Sequence, residues 1–344
     1  MPPIPEDDSA VPLDLAGVER QRQRRQAWTF LQYDVFTSDP LLGNQLAVFT
    51  DAQGLDASTM QRIAREMNFA ESTFILPVEW AGTDVRMRIF TPAVEMPMAG
   101  HPTIGSTFAL ADSGVIKPGT SRFMFHLNAG PTPVDLEWVD DRLAFAWMTQ
   151  PNPIFGRIVE DRAAVAATIG LTVDDLRPDV PVQEVSCAVP FLYIPLRDGE
   201  TVDRAVSDAA AFRRLEKVTG VNLPVFLFAL DAAPAAPGPP HMDDRRASIP
   251  SAGQPTAVYS RMFAPEFGII EDPATGIASG PLGCYLVHHR LIPPAAARAI
   301  VSHQGVAMGR ASRVHISIGV ADGVIHDVKV GGEAVLVARG ELLL

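Results

Sequence analysis

A glutamate among apolar residues is the first candidate for chemistry in this chain. Glu71 stands in NFAESTF, with Phe69 and Phe74 close by. Partly apolar surroundings raise a carboxyl's pKa toward the range where it can give and take a proton near neutrality. Two glycine-led turns are the second candidate. Ala99-Gly100-His101-Pro102-Thr103 and Asp272-Pro273-Ala274-Thr275-Gly276 each open a helical pattern. The free N–H groups at such a helix start suit a carboxylate or a phosphate, and Pro102 sits where a first-turn proline is tolerated. Two such ends facing each other would grip one acidic molecule. Taken singly, these features have plainer accounts: a capping or surface glutamate, and two ordinary capped helices with Asp272 as a cap.

The turns belong to a repeat. RIFTPAVEMPMAGHPTIG (88–105) and RMFAPEFGIIEDPATGIASG (261–280) both begin Arg-apolar-Phe-small-Pro. Both then cross mostly apolar residues to a glycine-rich turn and a helix. They lie about half a chain apart, which implies two similar lobes and not a short-period solenoid.

The elements that must position these residues follow from local pattern. WTFLQYDVFT predicts a strand, SDPLLGN a turn carrying Gly43 and Asn44, and LAVFT a second strand. Asp56 caps a helix to Met67, with Met60, Ile63, Ala64 and Met67 at helical spacing. Glu71 then stands just before a strand at 73–77, and DVRMRIFTP alternates as a half-exposed strand does. A helix over 103–110 and the strands SRFMFHL and RLAFAWM complete the first lobe near Thr149. After the proline-rich QPNPIFG come a helix over 162–169 and a strand pair in EVSCAVPFLYIPL, which includes Cys187. A helix closing at Gly220 and the strand VFLFAL, the counterpart of TFILP, come next. A helix through Leu282, Tyr285 and Leu286 precedes the strands RVHISIG, VIHDVKVGG and AVLVARGEL. Many strands with one central helix per half make an α+β fold of mixed sheets. Regular β-α alternation is missing, which argues against a doubly wound fold.

The expected organisation is an extension over 1–27, a first lobe over 28–149 and a second over 150–334. The extension holds four arginines between Arg20 and Arg25 and reads as a solvated tail. The low-complexity stretch at about 231–255 reads as a surface loop.

Composition narrows the function classes. The chain has 344 residues, 47% of them hydrophobic and 20% charged, enough for two proper cores. A formal net charge of −12 disfavours nucleic acid or an anionic membrane as main partner, but not a small anionic substrate. The two cysteines, Cys187 and Cys284, form no CxxC, so a reduced, cytoplasmic chain is the simplest expectation. No apolar run has the length of a membrane span, and the start lacks the basic and apolar regions of a signal peptide. GxGxxG, P-loop, HExxH and GxSxG signatures are missing. The adjacent His288 and His289 point about 100° apart on a helix and make no two-ligand metal face. His126, His303, His315 and His326 read as structural or surface histidines.

Together, DVFTSDPLLGNQLAVF, IAREMNFAESTFI, RIFTPAVEMPMAGHPTIG, EDPATGIASGPLGCYL, QGVAMGRASRV and VKVGGEAVLVARGEL occur in the order that resembles the PhzF-like (phenazine biosynthesis) family. The resemblance runs from Trp28 nearly to the C-terminus. It implies a diaminopimelate epimerase-type fold: two pseudo-symmetric lobes, each a sheet wrapped around a central helix, with the site between them and a closing strand at about 335–344 that returns to the first lobe. It further implies a cofactor-independent, metal-free isomerase, a homodimer, that moves a proton on a small carboxylic acid. By motif position, Glu71 matches the proton-shuttling glutamate, and His101 and Asp272 the polar residues that assist it. Gly100 and Gly276 would offer backbone N–H groups, and Asn44 a substrate contact. Epimerases and racemases of this fold use a cysteine pair at the glycine turns, where this chain has none. Where the family pattern reads DPxTGSA this chain has DPATGIA, so Ile277 replaces a serine and alters the rim of the anion site. An epimerase or racemase on this fold, and a non-catalytic binding protein on the same scaffold, are the alternative expectations.

Overall fold

The computed structural model describes residues 26–230 and 255–344. The basic run at 20–25 and all but the last residue of the insertion at 231–255 lie outside the described residues.

The first half of the chain runs β1 (Ala27–Val35), β2 (Asn44–Phe49), α1 (Ala57–Met67), β3 (Glu71–Leu76), β4 (Val85–Phe90) and β5 (Glu95–Met96). It continues with α2 (Gly100–Asp112), β6 (Arg122–Leu127), β7 (Gly130–Val139), β8 (Arg142–Gln150) and β9 (Ile154–Ile158). The second half runs α3 (Arg162–Thr168), β10 (Gln183–Ser186), β11 (Pro190–Pro195), α4 (Gly199–Arg204), α5 (Ala209–Thr219) and β12 (Val225–Leu230). It ends with β13 (Thr256–Ala264), β14 (Ile269–Asp272), α6 (Gly276–His288), β15 (Ile300–Gln304), β16 (Ser312–Ala321), β17 (Val324–Gly332) and β18 (Ala334–Leu343).

The repeat extends well beyond the two glycine segments. β2 pairs parallel with β3 as β11 does with β12, and β4 lies between β3 and β6 as β13 lies between β12 and β15. β6–β7–β8 and β15–β16–β17 are matching antiparallel meanders. β8 and β17 pair with each other and join the halves. β18 returns to pair antiparallel with β1, and β9 occupies the corresponding edge beside β10. The result is a sheet-dominated, two-lobed α+β architecture.

Each half wraps its sheet around one helix. The first eleven residues of α2 and of α6 are all buried. A helix covered on every side has no need of an amphipathic stripe, and both sequences are apolar or small all round. Their hydroxyls turn back on the preceding turn: Thr103 Oγ1 donates to Ala99 O (2.7 Å) and Ser279 Oγ to Thr275 O (3.0 Å). That pairing keeps the polar groups satisfied without water. In contrast, α1 is amphipathic, capped by Asp56 on Thr59 N, and buries Met60, Ile63 and Ala64 on one side.

One ion pair is repeated with its surroundings. Arg88 donates two hydrogen bonds to Glu95, and Arg261 two to Glu271, and each guanidinium lies over the phenylalanine two residues on. Counting from these pairs aligns the halves. Met96 corresponds to Asp272, Gly100 to Gly276 and His101 to Ile277. Phe74 faces Arg88 and Leu227 faces Arg261, so Glu71 corresponds to Pro224.

Four expectations about local structure are corrected. Glu71 is the first residue of β3 and does not precede the strand; its pairing with Leu46 of β2 begins the ladder there. The first central helix begins at Gly100 and not at Thr103. Cys187 follows β10 and does not lie in it. Strands β5, β7, β9, β14 and β15 and helix α4 have no counterpart among the expected elements: β7 carries Pro131 and Pro133, and the others are short.

Candidate active site

Four elements bring the expected residues together. α1 ends at Asn68 in the left-handed region (φ 52°), whose N–H closes on Ala64 O, and the chain turns from there into β3 with Glu71 at its start. Asn44 opens β2 after a turn that only glycine can make: Gly43 has φ +68°, and a Cβ there would lie 2.4 Å from Val35 O. The turn is held from the other half by Arg310. Its guanidinium donates to Gly43 O (2.8 Å), Leu42 O (2.8 Å) and the buried Asp34 (2.7 Å). His101 lies in the first turn of α2, and Asp272 ends β14 just before α6.

Glu71 Oε2 stands 3.2 Å from His101 Nδ1. Asn44 Nδ2 donates to Asp272 Oδ1 (2.8 Å) and to Ala274 O (2.9 Å). Those two bonds use both of its hydrogens. Its 3.4 Å approach to His101 Nδ1 is therefore a contact without donation, and Glu71 is the partner left to that nitrogen. Asp272 Oδ2 accepts from Thr275 Oγ1 at 2.5 Å.

Burial governs the proton affinities. It raises the Glu71 carboxyl well above the usual carboxylate range, and the neighbouring Asp272 adds to the rise. Asp272 is pushed up to about 6 by burial, against the lowering effect of its bonds from Thr275 and Asn44. His101 is pushed down to about 3 by burial, which outweighs a backbone hydrogen bond at Gln45. A neutral imidazole thus faces a carboxyl that keeps its proton unusually long. The 3.2 Å contact is short enough for one of the two groups to donate a hydrogen bond to the other. Such a pair can pass a proton to carbon and take it back.

The starts of α2 and α6 press backbone to backbone. A Cβ on Gly100 would lie 2.6 Å from the Gly276 carbonyl carbon and from Ile277 N, and one on Gly276 would lie 2.8 Å from the Phe36 ring. Neither N-cap residue, Ala99 or Thr275, makes a side-chain cap bond. The first-turn N–H groups of both helices therefore have no capping side chain. Ile277 is buried at the first turn of α6, in the place His101 holds on α2.

Two contributors lay unassigned in quoted motifs. Gln304 and Arg310 are both in QGVAMGRASRV; Gln304 binds the Asp272–Thr275 segment and Arg310 the Asn44 turn. Cys187 and Cys284 are free, buried and beside each other in the core. Among the described residues, no cluster of His, Cys, Asp and Glu has a metal-holding arrangement, and no helix is long and apolar enough to cross a membrane.

Comparison with known proteins places this geometry in context. The profile of a family described as phenazine biosynthesis-like protein (PhzC-PhzF) matches residues 33–234 and 244–340. The chain is 32% identical over 315 residues to trans-2,3-dihydro-3-hydroxyanthranilate isomerase of Pseudomonas aeruginosa, covering 92% of this chain and 99% of that protein. It is also 32% identical over 311 residues to the uncharacterized isomerase YddE of Escherichia coli K12, covering 90% and 96%. The crystal structure of a Bacillus anthracis phenazine biosynthesis protein of the PhzF family superposes with a TM-score of 0.76. It is 26% identical, with 93% of this chain and all of that one covered.

Proposed function

The chain belongs to the phenazine biosynthesis-like (PhzC-PhzF) family and is an isomerase of it, and from that premise we propose that it relocates one proton on a small carboxylic acid, with Glu71 as the acid and base. The observation that carries the proposal is the Glu71–His101 contact of 3.2 Å, made by a carboxyl whose proton affinity is raised. Glu71 takes a proton from a carbon next to a carboxylate or conjugated acid and returns it elsewhere on the same molecule. His101, neutral at physiological pH, holds the Glu71 carboxyl in place and shares its proton. The backbone N–H groups at Gly100 and Gly276 take the substrate's acidic group and steady the charge that develops as the C–H bond breaks.

A single-base reaction fits the site better than racemisation. Two-base inversion needs a second free group opposite the first. The residue corresponding to Glu71 is Pro224, and the remaining carboxylate, Asp272, has both oxygens engaged by Asn44 and Thr275. Ile277 gives the second helix start an apolar group where a hydroxyl is usual. The substrate accordingly presents an apolar edge to that wall, and need not be that of the P. aeruginosa relative.

The test is solvent deuterium incorporation, read by mass, into trans-2,3-dihydro-3-hydroxyanthranilate and a panel of amino, hydroxy and conjugated carboxylic acids. Glu71→Gln should lower exchange into a turned-over acid by about 10²- to 10⁴-fold, the usual worth of a positioned acid or base. Undiminished exchange in that variant would overturn the assignment.

A further inference from the structure

The second half supplies one polar assembly that the Glu71–His101 pair does not explain: Gln304, Thr275 and Asp272. Gln304 ends β15 and is fully buried. Its amide makes three hydrogen bonds to a single short segment. Nε2 donates to Asp272 O (2.8 Å) and to Thr275 Oγ1 (3.0 Å), and Oε1 accepts from Thr275 N (3.0 Å).

These partners fix the amide orientation. A backbone carbonyl only accepts and a backbone N–H only donates, so the nitrogen must face Asp272 O and the oxygen must face Thr275 N. The Thr275 hydroxyl then receives a hydrogen from Gln304 and must send its own elsewhere. Among the described residues, the acceptor it reaches is Asp272 Oδ2, at 2.5 Å. Asn44 directs an N–H at Oδ1. Both carboxylate oxygens thus already accept a hydrogen bond, which favours the charged form of Asp272 over a protonated one.

We infer that Thr275 and Gln304 are positioning residues: through a one-way chain of hydrogen bonds, Gln304 to Thr275 to Asp272, they hold Asp272 as a fixed acceptor and leave Glu71 as the only carboxyl free to exchange a proton with substrate. This reading gives the conflict at Thr275 a purpose. A threonine at an N-cap ordinarily turns its hydroxyl onto its own helix. Here the hydroxyl is diverted to Asp272, and the helix start is left uncapped. The inference rests on the proposed function for the meaning of Glu71, but the hydrogen-bond chain stands apart from it. The other ionisable groups acting on or near Asp272 are Glu71, Glu271 and His101.

The test follows the Asp272 carboxyl carbon by NMR in uniformly ¹³C-Asp-labelled full-length protein, with the resonance identified by its loss in Asp272→Asn. Removing the hydroxyl in Thr275→Val should move the Asp272 titration midpoint upward by about one pH unit or more, as expected for losing a hydrogen bond to a charged acceptor. Thr275→Ser should return it close to the wild-type value. Gln304→Leu should shift it in the same direction by less, because the hydroxyl survives but is no longer aimed. An Asp272 midpoint unmoved in both Thr275→Val and Gln304→Leu, with the amide spectrum showing a folded chain, overturns the inference. If Thr275→Val does not fold, Gln304→Leu and Thr275→Ser decide alone: a shifted midpoint in the first and an unchanged one in the second support the chain, and any other pair of results refutes it. Failure of the isomerase proposal would appear as no exchange into any acid and would leave these titrations untouched.

Discussion

The two halves of this protein share strands, central helices and a buried arginine–glutamate pair, yet they differ at nearly every position that bears on chemistry. Glu71 answers to Pro224 and His101 to Ile277. Asn44, two residues before the partner of Glu71, answers in the same way to Val189. Asp272 is the exception in direction: it belongs to the second half, and its counterpart is Met96. Packing demands are the same on both sides of the pseudo-two-fold axis, so the scaffold repeats. The proposed reaction, with one mobile proton, needs one exchanging group, which would account for polar residues that do not repeat. A racemase on such a frame would want both sides equipped.

The comparison can be broken most severely at the repeated arginine. Arg261 is more deeply buried than Arg88, and besides Glu271 it donates to the carbonyls of Val202 (3.0 Å), Asp203 (3.3 Å) and Ala205 (2.7 Å). Arg261→Ala leaves Glu271 without its ion-pair partner and removes one donor from each of three carbonyls, and should cost about 3–5 kcal/mol. Arg88→Ala, at a less deeply buried pair, should cost about 1.5–3 kcal/mol. Urea denaturation of the two variants measures the difference; equal costs would show that the halves rely on this pair alike.

A second contrast lies in pH. Asp272 is raised from 3.8 to about 6, whereas Met96 carries no proton. The folded state therefore holds a proton on Asp272 over a range where the unfolded chain has released it. Stability from this source is fully present below pH 3.8 and is lost as the pH rises through about 6. Against Asp272→Asn, the wild type should lose about 3 kcal/mol of relative stability across that window. His101 works in the opposite sense. Its value is lowered from 6.5 to about 3, so its contribution is present above pH 6.5 and is lost as the pH falls toward 3. Denaturation midpoints of wild type, Asp272→Asn and His101→Asn between pH 4 and 7 separate the two terms.

The smallest contrast concerns the touching glycines. A methyl on Gly100 meets backbone atoms of Gly276 and Ile277, while a methyl on Gly276 meets first the edge of the Phe36 ring. Both alanine variants should lose about 1–3 kcal/mol, with Gly100→Ala at the upper end because backbone yields less than a ring. Thermal unfolding of the pair gives the order, and a reversed order would mean that Phe36 is the more rigid neighbour.

Much of this was legible in the sequence where local rules act alone. Asp56 and the spacing of Met60, Ile63 and Ala64 announce α1, and its cap and buried face are as that spacing requires. The central helices were announced by their glycine turns more than by periodicity, since a helix buried on every side has none to show. That is why periodicity places the start of α2 at Thr103, three residues after its true start at Gly100. Glu71, His101, Asp272 and Asn44 converge in space, but what convergence does to them was beyond the sequence. Burial in the assembled site pushes the Asp272 carboxyl up to about 6 and the His101 imidazole down to about 3, and raises Glu71 well above the carboxylate range. Gln304 and Arg310 stayed hidden because their roles depend on partners distant in the chain. The Gln304–Thr275 bonds join residues 29 positions apart, and the Arg310–Gly43 bond joins residues 267 apart. β15, which carries Gln304, is too short to show a pattern of its own.

The backbone contact at Gly100 and Gly276 has an electrostatic side. Each helix start carries roughly half a positive charge. Two such ends a few ångströms apart repel by something on the order of 1 kcal/mol at an effective dielectric near 20. Tight glycine packing holds them together against that push. An acid group settling on both ends would cancel the repulsion while making its own bonds, so binding and folding draw on the same contact. If an acid binds there as proposed, the fold is a loaded joint, firmest with its anion in place, and thermal stability would gauge how well an acid fits.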